Sequence, residues 1–303
     1  MAAWDISTLV YSDKYLDLGA GQNFEAMFIK RDGTRVYVLD WTSCICYSYT
    51  LSTAWDISTG TSDGLSFDFS SKSAKMSGIF FKSDGAKCYL CNANSKNVYQ
   101  YTLSTPWNIS TAAYEAVYAP AADLVPEGMT FSADGTKMYI GDYSYDQIYQ
   151  YTLSTAWDIT SSTYTTLFKP NASGANPYGL WLKPDGTKLY ISSNWAFTGN
   201  FQHSLGTAYA VNTATYDNKS LNSDTQDTYP LDISFNEDGK ICYILGYPTG
   251  HIFQYELPTS INQKINVSDS WKEITAAKIN IGDSWKTIAS AKINRGDSWK
   301  TIF

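Results

Sequence analysis

Few residues in this chain have types and spacings that could do chemistry. Cys88 and Cys91 stand in a C-x-x-C spacing that would be half of a zinc site, but no second such pair follows and the only histidines are His203 and His251. The other cysteines are Cys44, Cys46 and Cys242, and an odd total of five argues against a disulfide framework. Glu25 and Glu127 are the two carboxylates whose placement could serve as an acid and base pair. A third set mixes aromatic and polar side chains: Trp41, Tyr143, Tyr145 and Trp195 beside Asn94, Asp142 and Asn194. Rings next to amides can stack on, and hydrogen-bond to, a sugar or a protein face. No G-x-S-x-G, H-E-x-x-H, P-loop or EF-hand pattern occurs.

An internal repeat places these residues. Trp4-Asp5-Ile6-Ser7-Thr8 returns at Trp55, Trp107 and Trp157 and, in a worn form, at Tyr209, so the aromatic positions are 51, 52, 50 and 52 residues apart. Asp-Gly recurs with the same period at 32–33, 84–85, 134–135, 185–186 and 238–239. Tyr99-Gln100-Tyr101-Thr102-Leu103 has counterparts at Tyr47, Tyr149, Phe201 and Phe253. In the third copy an apolar run over 128–131 reads as a strand a. The Asp134-Gly135 hairpin signal leads to strand b from Lys137, and a polar and aromatic loop over 142–147 leads to strand c over 148–153. Trp157 is expected to begin strand d. Four short strands in about 51 residues, repeated five times, predict an all-β, five-bladed propeller.

The phase of the repeat predicts how the ring closes. The chain opens with a strand d, between Trp4 and Tyr15, and its fifth unit ends after strand c near Leu257. The first strand is expected to complete the last blade, removing an edge that would otherwise invite aggregation. Cys88 and Cys242 then align with Val36, Met138 and Leu189, which predicts apolar packing for them. His203 aligns with Tyr101 and Tyr151, and His251 opens a strand c, so both read as sheet residues. Glu25 and Glu127 enter strand a, where the other copies carry Ser77, Tyr178 and Leu231. The aromatic and amide set falls in the b–c loops, the variable part of each blade and the usual place for binding on a rigid scaffold.

A shorter repeat begins after Pro258. Lys264-Ile265-Asn266, Lys278-Ile279-Asn280 and Lys292-Ile293-Asn294 are 14 residues apart, as are Asp269-Ser270-Trp271, Asp283-Ser284-Trp285 and Asp297-Ser298-Trp299. Each unit reads as a small hairpin carrying one tryptophan, and Arg295-Gly296-Asp297 reads as its turn. Such hairpins are marginal alone. Residues 259–303 are therefore expected to be an assembly tail to a propeller over 1–258, working through Trp271, Trp285, Trp299, Ile265, Ile279 and Ile293.

Composition narrows the partners. Aromatics are 16% and charged residues 17%, which suits half-buried sheets. The net charge is −7, and residues 262–303 carry +3 of it, leaving −10 on the body. An acidic body argues against nucleic acid. No apolar run is long enough to span a bilayer, and the first residues lack the basic and apolar regions of a signal peptide.

The Asp-Gly-Thr-Lys-Met-Tyr-Ile segment from Asp134 to Ile140 resembles bacterial YVTN-type propellers. The segment from Tyr49 to Thr59 is similar to repeats in proteins of tailed bacteriophages, and Lys-Ile-Asn-x-Gly-Asp-Ser-Trp-Lys is similar to short C-terminal repeats of phage virion and tail proteins. The resemblance implies a non-enzymatic virion protein (tail tip, fibre or head decoration), assembled in the host cytoplasm as part of an oligomer. Its tail would meet other virion proteins, and its propeller would be free to meet a host-surface glycan or protein. No metal or cofactor is expected. The alternative is a glycan-binding or glycan-cleaving propeller.

Overall fold

The computed structural model describes residues 2–258 apart from 20–21, 121–123, 171–175 and 195–197, together with the backbone of short strands between residues 263 and 301. The chain divides into two compact units, Met1–Leu257 and Pro258–Phe303.

The first unit is a five-bladed propeller of four-stranded antiparallel sheets. From the inside outward, blade 1 runs Phe24–Ile29, Arg35–Asp40, Ile45–Leu51 and Gly60–Asp68. Blade 2 runs Met76–Phe81, Lys87–Asn92, Asn97–Leu103 and Ala112–Tyr118, and blade 3 runs Pro126–Phe131, Lys137–Asp142, Gln147–Leu153 and Ser162–Phe168. Blade 4 runs Gly179–Leu182, Lys188–Ser193, Gly199–Leu205 and Ala214–Leu221. Blade 5 takes Tyr229–Phe235, Ile241–Tyr247 and His251–Glu256 from the end of the unit and Val10–Asp17 from its beginning. The early strand pairs antiparallel with His251–Glu256, from Val10 opposite Glu256 to Asp17 opposite His251. The closure predicted from the repeat phase is therefore present.

One expectation fails. The tryptophans do not begin strand d. Trp4, Trp55, Trp107, Trp157 and Tyr209 have φ between 62 and 67°, the left-handed region, and a one-turn 3-10 helix separates each from its strand. The reason is the Asp-Gly marker. Gly33, Gly85, Gly135, Gly186 and Gly239 also have positive φ, and the aromatic ring of the same blade lies so close that a Cβ on the glycine would collide with it. Each aromatic N–H donates to that glycine's carbonyl at 2.9–3.0 Å. The two sequence markers are thus the two halves of one contact, and glycine is required both for its φ and for the space it leaves. Asp5, Asp56, Asn108 and Asp158 then cap the 3-10 turns by accepting the N–H two residues on, whereas Ala210 in the worn copy has no such bond.

Neighbouring blades are joined by a repeated latch. The hydroxyls of Tyr37, Tyr89, Tyr139, Tyr190 and Tyr243 donate to the carbonyls of Trp107, Trp157, Tyr209, Trp4 and Trp55, each on the following blade, at 2.5–2.8 Å. A second latch uses strand c: Gln100, Gln150, Gln202 and Gln254 accept the N–H of Ile159, Val211, Ile6 and Ile57 across the same seams. Blade 1 has Ser48 instead, and there Arg35 adds a bond to the Trp107 carbonyl. Between the blades lie five apolar clusters that contain all five cysteines, each buried and free. Burial pushes the thiols of Cys46, Cys88, Cys91 and Cys242 up, so they stay protonated and pack as small apolar groups.

In the second unit the backbone forms three separate two-stranded hairpins: Gln263–Val267 with Ser270–Ile274, Lys278–Asn280 with Trp285–Thr287, and Lys292–Arg295 with Ser298–Thr301. Their register is the same. Ile265, Ile279 and Ile293 pair with Lys272, Lys286 and Lys300, and Asn266, Asn280 and Asn294 pair with Trp271, Trp285 and Trp299.

Candidate functional site

The inner strands surround a central channel because their second positions are small. Gly78, Gly128 and Gly179 each lie against backbone of the next blade, so a side chain there would collide with it. Ala26 holds the same position in blade 1 and Asp232 in blade 5. The Asp232 side chain meets the backbone of blade 1 directly, accepting the Met27 N–H at 2.8 Å as well as its neighbour Ile233 N–H. Burial raises its pKa to about 7 despite those two bonds.

One position earlier, at the channel mouth, the five blades carry Glu25, Ser77, Glu127, Tyr178 and Leu231. Burial, with Asp232 adding repulsion, pushes Glu25 up to about 8. Glu127 is 4% exposed, and its Oε2 has no hydrogen-bond partner. Burial first, then the charge of Glu25, raises it well above the ordinary carboxylate range, and Lys75 only partly offsets this. A cavity of about 480 Å³ opens here between Glu25, Glu127, Lys75, Lys96, Trp41 and Tyr143, with Asn94 on its rim and Tyr178 at its inner end. Tyr143 meets Tyr178 edge to face at 5.8 Å, and the Lys75 Nζ sits 5.5 Å from the Trp41 ring centre. Tyr178 also lines a second cavity of about 320 Å³, which runs along the inner strands and is walled by Phe28, Phe80, Phe131 and Trp181.

Of the residues singled out in the sequence, Trp41, Asn94 and Tyr143 come together at this mouth with Glu25 and Glu127. Tyr145 is exposed on the same loop as Tyr143 but does not line the cavity. Asn194 lies beside the Tyr178 hydroxyl, with its own Oδ1 buried and unpartnered. Trp195 falls outside the described residues. Asp142 is a correction. It is not an exposed loop residue but the buried end of strand b, and its Oδ1 accepts the N–H groups of Val125 and Ser144. Asp40 does the same for Asn23 and Ser43 in blade 1, so the role is to hold the loop. The side chains of Trp271, Trp285, Trp299, Ile265, Ile279 and Ile293 also lie outside the described residues.

Lys75, Tyr178 and Asp232 belong to this site and were not singled out from the sequence. The available signal was Asp232, the one charged residue in a column otherwise filled by Ala26, Gly78, Gly128 and Gly179. The histidines do not join the site. His203 is fully buried in the sheet between Phe168 and Tyr216, both ring nitrogens lack partners, and burial lowers its pKa to about 4. His251 packs on Tyr15 and Phe253 at the rim. Among the described residues no three His, Cys, Asp or Glu side chains converge as a metal site would require. Among the described residues no helix is long and apolar enough to cross a membrane.

No family of known proteins and no curated sequence matches the chain. Solved structures match by fold. A protein from Bacteroides fragilis NCTC 9343, described as a candidate 6-phosphogluconolactonase, superposes with a TM-score of 0.50 at 13% identity, over 77% of this chain and 79% of that one. Another so described, from Bacteroides uniformis ATCC 8492, gives 0.48 at 14% identity over 80% and 67%. The Cps50 (Swd1) propeller domain of Myceliophteria thermophila gives 0.48 at 8% identity over 82% and 99%. At such identities the likeness extends to the propeller fold and no further.

Proposed function

We propose that this chain is a non-enzymatic structural and interaction protein of a tailed-phage particle, with the three hairpins docking to the particle and the propeller displayed for recognition. The observation that carries the reading is the division of the chain into a ring that closes on itself and a run of three hairpins in identical register. A ring whose every seam is latched has no need of a neighbour. A two-stranded hairpin is marginal in water unless something covers it. Repetition at a strict 14-residue period gives each unit the means to meet an equivalent surface, as a symmetric particle would offer. The resemblance of both repeats to those of phage proteins supplies the kind of particle.

The test is to locate the chain in particles purified from its source, then to compare full-length protein with a variant carrying Trp271→Ala, Trp285→Ala and Trp299→Ala. The variant should remain a soluble propeller with an unchanged melting transition and should no longer incorporate. Normal incorporation would move the docking surface to the propeller. A glycan-directed propeller is the second reading, and what favours it is the mouth cavity with its rings and carboxyls.

A further inference from the structure

Glu127 presents a problem that the fold itself does not solve. A buried carboxyl oxygen without a partner is costly, by about 1–3 kcal/mol or more. None of the ring's repeated contacts requires a glutamate there, since the same position is Ser77, Tyr178 or Leu231 in other blades. Glu127 lines a cavity of about 480 Å³, within the range of small-molecule sites. The remaining lining is aromatic or polar: Trp41, Tyr143 and Tyr178 supply rings, and Lys75, Lys96 and Asn94 supply polar groups.

We propose that the channel mouth seats one residue of a neutral saccharide, with Glu127 hydrogen-bonding its hydroxyls and Trp41 and Tyr143 packing against its ring. This deepens the display half of the proposed function and rests on it. The chemistry of the lining decides the ligand class. An ammonium ligand would be opposed by Lys75 and Lys96, and the raised carboxyls of Glu25 and Glu127, protonated near neutral pH, can both donate and accept. A bare metal ion would need three converging ligands, which the described residues do not provide. A polyhydroxyl ring uses donors and acceptors together and presents C–H faces to aromatic side chains. That is the mixture this cavity offers. The site differs from the b–c loop face read in the sequence: its floor comes from the first residues of the inner strands, and its loops contribute only the walls.

The test uses the full chain. Methyl glycosides of glucose, galactose, mannose and N-acetylglucosamine are titrated by saturation-transfer NMR and calorimetry, with spermidine and inorganic phosphate as charged probes. At least one glycoside should bind, and neither charged probe should. Trp41→Ala and Glu127→Ala should each weaken binding about tenfold or more, the loss expected for one buried hydrogen bond or stacking contact. Glu127→Gln, which keeps the shape and one acceptor, should lose less. Tyr114→Ala, on an outer strand, should bind as the parent does. Each variant is checked for a native melting transition. Three results would overturn the proposal: no glycoside bound by the folded parent, undiminished binding by both alanine variants, or preferential binding of spermidine or phosphate. Particle incorporation is scored on the same proteins. Absent glycoside binding alongside tail-dependent incorporation removes the saccharide seat alone, whereas normal incorporation of the triple tryptophan variant removes the docking reading alone.

Discussion

On the flanks of the ring, one position of strand b carries Tyr37, Tyr89, Tyr139, Tyr190 and Tyr243, and each makes the same bond to the next blade. At the channel mouth, one position of strand a carries Glu25, Ser77, Glu127, Tyr178 and Leu231, and no two neighbouring blades present the same group. Both columns are built from the same repeat. The flank column meets an identical surroundings five times, so the same residue solves it five times. In the mouth column Glu25, Glu127 and Tyr178 line one cavity, while Ser77 bonds the Pro126 carbonyl and Leu231 packs in an apolar cluster. There the blades differ, and burial raises the carboxyls of Glu25 and Glu127, as it does that of Asp232 one position further along strand a. Repetition marks what holds the ring, and its breakdown marks what the ring holds.

The largest effect is expected at the closing seam. Removing residues 1–20 takes away the outer strand of blade 5, the ring that covers Gly239 and the acceptor of the Tyr190 latch. Strand His251–Glu256 becomes an open edge, and the protein should aggregate or melt far lower. A soluble deletion variant with unchanged melting would break the claim that the closing seam matters as the others do.

Next come the turn glycines. Gly135→Ala forces a side chain into the Trp157 ring at positive φ and should cost about 3 kcal/mol in chemical unfolding. Gly64→Ala is the control. Its φ is also positive, but nothing lies within 4 Å, so it carries backbone strain of about 1 kcal/mol alone. Equal losses at the two sites would mean that the tryptophan contact contributes nothing.

Tyr243→Phe removes one latch at the closing seam and Tyr89→Phe removes one at an ordinary seam. Each should cost about 1–2 kcal/mol, since a carbonyl is left without its donor. A much larger loss at Tyr243 would show that the fifth seam is weaker than its geometry implies.

The smallest effect sharpens the contrast at the buried carboxyls of strand a. Glu25, Glu127 and Asp232 bind their protons more tightly folded than unfolded, so their contribution is fully present below about pH 4, the ordinary carboxylate range, and is lost as pH rises. For Glu25 and Asp232 the loss is complete by about 8. Glu127→Gln should therefore stabilise the protein at pH 9 and change little at pH 5. His203 acts on the other limb. Its folded pKa is about 4, below the unfolded value, so its contribution is present above about 6.5 and lost as pH falls towards 4. His203→Tyr, the residue found at Tyr101 and Tyr151, should flatten that acid limb. Melting temperatures across pH for the three proteins check both limbs, and parallel curves would refute the assignment.

The sequence by itself determined the blade count, the four strands of each blade and the strand that closes the ring, because periodicity and phase are properties of order along the chain. It also determined the apolar role of Cys88 and Cys242, since alignment within the repeat set them beside valine, methionine and leucine. Tertiary structure decided the rest. The Trp and Asp-Gly markers, about 20 residues apart in most copies, proved to be one contact, and that moved the tryptophans out of strand d. Asp142 looked like a loop ligand, but only the fold shows its carboxylate turned inward onto backbone N–H groups. The mouth site was half legible. Glu25 and Glu127 stood out as carboxylates breaking a column, but Lys75, Tyr178 and Asp232 come from three different blades. The reason is physical: a strand fixes which of its own residues share a face, and only the packing of five blades around one axis decides which faces meet.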